Sequence, residues 1–150
     1  LFLKQRPTGV LTITDPRMTR FWITLEQAVN FVLYSLEKMV GGEIFVPKLP
    51  SMNIMDLAAA IAPECDHRLI GIRPGEKLHE VMVTRDEARN TIEFPEYFVI
   101  KPEFRFFSRR FNEEGGIPVP PEYEYNSRDN PWRLQPEELR HLLQDLELEK

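Results

Sequence analysis

An α/β fold with parallel strands is what this sequence predicts, on three observations. Short apolar runs alternate with amphipathic helical stretches between residues 10 and 100, capping boxes stand at Thr24–Gln27 and Thr84–Glu87, and glycine or proline punctuates the joins. Residues 10–14 (Val-Leu-Thr-Ile-Thr) read as the first strand, stopped by the Asp15-Pro16 turn pair. Thr24 and Gln27 then open a helix on which Leu25, Ala28, Val29, Val32, Leu36 and Met39 recur at helical spacing, and Gly41-Gly42 ends it. Ile44-Phe45-Val46 is a short strand closed by Pro47 and Pro50. A helix over roughly 52–62 carries Ile54, Leu57, Ala58 and Ile61 on one face and stops before Pro63. Leu69–Ile72 reads as the next strand, the Arg73-Pro74-Gly75-Glu76 loop leads into a helix over 77–83, and a brief helix follows Thr84. Strands are expected at 91–94 and 97–100.

The texture changes after residue 100. Six of the 13 prolines fall in the last 50 residues, so 101–135 reads as an extended wrapping segment rather than further layers. It ends in a helix with Pro136 at its first position, Glu137 and Glu138 in its first turn, and Leu139, Leu142, Leu143 and Leu146 as its stripe. The expected organisation is an α/β substrate-binding portion over 1–100 and a wrapping segment with a C-terminal helix over 101–150, both in one domain.

Composition narrows the class. The chain has 150 residues and a net charge of −5, and counting its 7 glycines brings the apolar share to about 47%, as in globular domains. No stretch approaches the roughly 20 apolar residues of a membrane span. One cysteine, Cys65, excludes an internal disulfide and any cysteine-rich zinc site and fits a reducing cytoplasm. The acidic balance argues against sequence-independent nucleic-acid binding, which runs on surplus Lys and Arg. The chain opens at Leu1 and runs almost directly into an apolar stretch, which predicts a segment of something longer.

Several motifs carry no chemistry on inspection. Tyr34-Ser-Leu-Glu-Lys38 matches the Tyr-x-x-x-Lys spacing of a dehydrogenase pair, but both residues stand beside the apolar stripe of their helix, as surface residues do, and no Gly-x-Gly-x-x-Gly precedes them. His79-Glu80 begins a zinc-protease pattern that lacks its second histidine, Val83 standing in its place, so no metal site is expected. Phe104–Phe111 interleaves aromatics with arginines in a net acidic background, which reads as an edge strand rather than a single-strand platform.

Arg73-Pro74-Gly75-Glu76-Lys77 is different. It stands at a strand's C-terminal end, where open α/β sheets bind ligands; arginine offers a planar fork for phosphate, and glutamate an acceptor for sugar hydroxyls. Met18–Thr24 places a second arginine, Arg20, just before the best-marked helix. Together Arg20, Arg73 and Glu76 could clamp a diphosphate and a ribose; an ordinary turn with solvated arginines is the other reading of the same spacing.

Four strings then bear a resemblance: Thr12–Leu25, Gly42–Lys48, Pro50–Met52 and Gly71–Met82, with Phe98–Ile100, Tyr123–Asn130 and Leu134–Leu139 later. They resemble the C-terminal part of the inverting UDP-N-acetylglucosamine 4,6-dehydratases, extended short-chain dehydrogenases of polysaccharide and pseudaminic-acid biosynthesis, over essentially the whole chain. The resemblance implies the C-terminal substrate-binding portion of an extended short-chain dehydrogenase (Rossmann-type) fold, lacking the N-terminal dinucleotide-binding half. It implies that Arg20 and Arg73 grip the UDP diphosphate, that Glu76 binds the uridine ribose, and that Trp22 and Met52 lie against the nucleotide. NADP and the catalytic residues would belong to the absent half, so no catalytic, cofactor-binding or metal residue is expected in this chain, and it is expected to be inactive alone. The implied partners are UDP-N-acetylglucosamine and further copies of the intact enzyme, in the cytoplasm, with neither nucleic acid nor membrane. A UDP-sugar 4-epimerase portion and a non-catalytic nucleotide-sugar-binding module are the rival expectations.

Overall fold

The computed structural model of the chain describes residues 1–104 and 110–148, the last five by backbone alone. In chain order the elements are α1 (Phe2–Gln5), β1 (Val10–Ile13), β2 (Thr19–Phe21), α2 (Leu25–Lys38), β3 (Ile44–Pro47), β4 (Ser51–Asn53), α3 (Ile54–Ile61), β5 (Asp66–Leu69), β6 (Val81–Val83), α4 (Arg85–Ala88), β7 (Thr91–Glu93), β8 (Tyr97–Ile100), β9 (Ile117–Pro118), β10 (Tyr125–Asn126) and α5 (Pro136–Leu148). They form two compact units, each drawing on chain from both sides of residue 100. One comprises Leu1–Trp22, Pro50–Glu80 and Ser127–Lys150; the other comprises Ile23–Leu49 and Val81–Asn126.

The first unit holds the expected parallel pairing. β1 runs parallel to β5, from Val10 opposite Asp66 to Ile13 opposite Leu69, and the last bond of the run is the Ile70 N–H to the Ile13 carbonyl, 2.9 Å. The partner strand therefore lies at 66–69 rather than 69–72: β1 stops at the Asp15-Pro16 turn, and the strand paired with it ends in step. Leu11 and Ile13 point into a core with Phe2, Ala58, Ala62 and Cys65, against which Ile54, Leu57 and Ile61 of α3 pack, the face the spacing predicts. Asn53 caps α3, its side chain accepting the Met55 N–H at 2.7 Å. β2 pairs antiparallel with β4, placing Arg20 opposite Met52. Met52, Leu134 and Leu139 form a second core, joined by Trp22, Leu57, Ala60 and Leu142, so α5 packs through its Leu139–Leu142 stripe.

The second unit is antiparallel: β3-β8-β7-β9 form one sheet and β10 pairs with β6. The strands expected at 44–46, 91–94 and 97–100 are there, and so is the Thr84–Glu87 capping box. Tyr125 closes the unit, its hydroxyl accepting the Leu49 N–H at 2.7 Å and donating to the Leu49 carbonyl at 3.0 Å.

Two expectations are corrected here. Residues 77–83 are not a helix: 77–80 are irregular and Val81–Val83 are strand, because partners distant in sequence take the backbone groups a helix would use. The Leu78 carbonyl accepts the Thr19 N–H, and the Glu80 N–H donates to the Ser127 hydroxyl. The second correction concerns α2, which has the predicted Thr24–Gln27 box but no buried residue; Leu25, Val29, Val32 and Leu36 are exposed. Its inward residues are Phe31 and Tyr34. The Tyr34 ring meets Tyr97 edge-on with centroids 5.4 Å apart, and its hydroxyl donates to the Tyr97 hydroxyl at 3.0 Å, so Tyr34 is a packing residue and not a solvated one. Of the Phe104–Phe111 run, residues 105–109 lie outside the described residues, as does the Leu146 side chain.

Candidate functional site

All five predicted ligand residues, Arg20, Trp22, Met52, Arg73 and Glu76, belong to the first unit. The loop after β5 is built by a Pro-Gly turn. The Glu76 N–H donates to the Arg73 carbonyl at 3.0 Å, and Gly75 takes φ +81°, which a side chain there would resist. The Glu76 carboxylate closes the turn from the other side, accepting the Arg73 N–H at 3.2 Å through Oε2. The Arg73 guanidinium is exposed and makes no hydrogen bond or ion pair among the described residues. It is a cation held on a constrained turn with every donor available.

Arg20 is held differently. From β2 its Nη1 donates to the carbonyls of Thr19 (2.8 Å) and Leu78 (3.2 Å), and its Nη2 to the Lys77 carbonyl (2.9 Å) and the Met18 sulfur (3.8 Å). Its Nε stands 3.4 Å from the Glu80 carboxylate. The side chain is thus bound along the segment that continues directly from the Arg73–Glu76 turn. Met52 faces Arg20 across the β2–β4 ladder but is buried, and Trp22 packs on the same cluster, its N–H donating to the Pro50 carbonyl at 2.9 Å. Both residues belong to the core built around Met52, Leu134 and Leu139. Among the described residues the Trp22 Nε1 and the Ser51 Oγ are buried without a hydrogen-bond partner.

A buried polar network, not foreseen from the sequence, fastens the same segment. The Ser127 hydroxyl accepts the Glu80 N–H at 2.9 Å and lies 2.7 Å from the Thr19 hydroxyl, which lies 2.8 Å from His79 Nδ1. One arrangement satisfies each group in turn: the Ser127 O–H donates to Thr19 and the Thr19 O–H donates to Nδ1, which places the imidazole proton on Nε2. That arrangement requires a neutral ring. Burial pushes the His79 pKa below its ordinary 6.5, the Arg128, Arg20 and Arg133 guanidiniums push the same way, and Asp129 opposes them. Because the unfolded imidazole then protonates more readily than the folded one, stability is expected to hold above pH 6.5 and to fall as the pH drops below it. Thermal melts across that range should show the decline. It should be smaller in His79→Asn, whose amide oxygen keeps an acceptor toward Thr19 without titrating.

Among the described residues no group of three or more His, Cys, Asp or Glu side chains is placed to hold a metal ion, and no helix is long and apolar enough to cross a membrane. The sequence contains no Gly-x-Gly-x-x-Gly, and among the described residues the glycine-bearing loop after β5 runs into β6 instead of opening a helix.

A parallel strand pair, a capped helix behind it and a constrained turn after β5 that carries the exposed Arg73 define a mixed α/β protein. The chain belongs to the polysaccharide biosynthesis protein family, whose model its residues 1–102 match. It is 48% identical to the UDP-N-acetylglucosamine 4,6-dehydratase (inverting) of Campylobacter jejuni serotype O:2, over 91% of this chain and 43% of that protein. It is 37% identical to the UDP-glucose 4-epimerase of Rickettsia conorii, over 98% of this chain and 45% of that protein. Among solved structures, Pen from Bacillus thuringiensis shares the fold at a TM-score of 0.82 and 29% identity, over 98% of this chain and 45% of Pen. The chain thus spans less than half the length of these relatives.

Proposed function

We propose that this chain is the UDP-binding part of an inverting UDP-N-acetylglucosamine 4,6-dehydratase. The observation that carries the reading is the 48% identity to a protein of that name over 91% of the chain, which includes the Arg73–Glu76 turn. The geometry supports it: the unengaged Arg73 fork suits a diphosphate, and Glu76, held on the same turn with Oε1 as a remaining acceptor, suits the ribose hydroxyls. Arg20 joins Arg73 on the diphosphate, and Trp22 and Met52 lie against the nucleotide. In such an enzyme the nucleotide is the handle by which the distant sugar is oriented, so the chain's contribution is binding energy rather than bond-making. The reading carries with it an NADP-using, homo-oligomeric cytoplasmic lyase whose cofactor and reacting groups lie outside these residues. By itself the chain is inactive.

Calorimetric titration with UDP and with uridine tests it on the full-length product of the gene. UDP should bind. Arg73→Ala should weaken UDP about tenfold or more, as expected for a charge-assisted bond, and leave uridine unchanged. Glu76→Ala should weaken both. A folded protein that binds no UDP overturns the proposal. The 37% identity to a UDP-glucose 4-epimerase supports a second reading. A product assay separates the two, loss of water marking the dehydratase and a C4 diastereomer the epimerase.

A further inference from the structure

We infer that the outward apolar face of α2, with the open edge of β3 in the same unit, is where the part of the full-length polypeptide outside these 150 residues docks. The inference concerns the second unit, which holds none of the proposed ligand residues, so it stands apart from the UDP reading. α2 is apolar on two sides. Phe31 and Tyr34 face Tyr97 of β8, with ring centroids 6.3 and 5.4 Å from it, so that side is taken by the unit's own sheet. Val29, Val32, Leu33 and Leu36 lie on the far side and are between 49% and 61% exposed. Ala28, Val29, Val32 and Leu33 line a shallow apolar depression there, which stops short of Leu25 in the first turn. Glu26, Asn30 and Glu37 gather on one flank between the two sides. A surface helix carries one apolar stripe; a helix apolar on opposite sides is built to lie between two layers.

β3 gives a second, independent sign. It stands at the end of the β3-β8-β7-β9 order and pairs only with β8 among the described strands. Ile44-Phe45-Val46-Pro47 contains no charged residue to blunt that edge, and Ile44 is exposed. Only the short Gly41-Gly42 turn separates α2 from β3, so a helix face and a strand edge are left open within one α-turn-β unit. Length identifies the occupant. The chain covers 43% of the Campylobacter jejuni dehydratase and 45% of Pen, so more than half of each of those proteins lies outside the matched part. A segment tethered in the same polypeptide meets the face at an effective concentration of about millimolar, which a second copy reaches only by association.

The test uses the full-length product of the gene with Val32→Cys, and with Glu26→Cys on the polar flank as its control. Maleimide labelling is read on the peptide that carries each new cysteine. In the native protein position 32 should react about a hundredfold more slowly than position 26, as expected of a site reached only by local opening. In urea the two should react alike. Photocrosslinking from p-benzoylphenylalanine placed at Leu36 then names the occupant. The product should have single-chain mass and join position 36 to residues outside this chain's 150. Equal native labelling at 32 and 26 would show the face open to solvent and overturn the inference. A crosslinked product of two-chain mass would make the occupant a second copy and overturn it as well. So would crosslinks confined to residues 1–150, or none.

Discussion

Replacing Leu139 with alanine is expected to destabilise the first unit by about 2–5 kcal/mol, the range for deleting a large buried side chain. Leu139 is 0% exposed and closes the core formed with Met52 and Leu134, with Trp22, Leu57 and Ala60 around it. Loss of three carbons removes about 2.4 kcal/mol of burial at 0.8 kcal/mol per methylene. A cavity term adds to this, because the walls cannot close in. Met52 is fixed in the β2–β4 ladder, and the Leu134 N–H is tied to the Ser51 carbonyl at 2.9 Å. The upper part of the range is therefore expected, read as a lower urea midpoint with an unchanged slope. Leu25→Ala is the matched control. That leucine lies on the α2 apolar stripe but is 81% exposed, and its removal should change stability by less than about 0.5 kcal/mol.

That contrast marks the limit of periodicity as a guide. The spacing of Leu25, Val29, Val32 and Leu36 locates a helix, and the Thr24 box locates its start, because both signals are local. Neither says which face meets the rest of the unit, and in α2 the inward residues are Phe31 and Tyr34. Strand order was less legible for a similar reason. Alternating strands and helices suggest parallel pairing throughout, yet only β1–β5 is parallel among the described strands. The other pairs join strands of two to four residues, too short for local pattern to set direction.

At the candidate site the same division holds. The Arg73–Glu76 turn was legible because Pro-Gly chemistry acts within four residues. The Thr19–His79–Ser127 network was not, since its bonds span 60 and 108 residues. The Tyr123–Asn130 run held the available signal: a serine within a string worth matching in full, whose role nothing nearby in sequence suggests. For Arg20 the sequence supplied the residue type and no means of seeing its bonds to the Lys77 and Leu78 carbonyls.

Ser127→Ala brings the network and the loop into a single measurement, with an expected loss of about 2–4 kcal/mol. The hydroxyl is fully buried and accepts the Glu80 N–H, so its removal orphans that donor at about 1–3 kcal/mol. It also removes the oxygen that lies 2.7 Å from the Thr19 hydroxyl and 3.2 Å from the Thr19 carbonyl, one of which takes the Ser127 proton. Thr19→Val removes the neighbouring hydroxyl and strands His79 Nδ1. If the bonds act as one chain, each single change already disrupts it, and the double variant should lose clearly less than the sum of the two. Additive losses would mean independent bonds and no shared network. Uridine affinity should fall in both single variants although neither residue is proposed to touch the ligand, because what they hold is the Leu78–Glu80 segment that Arg20 also grips. Full uridine affinity in a folded Ser127→Ala protein would separate the network from the loop and leave it a stabilising feature alone.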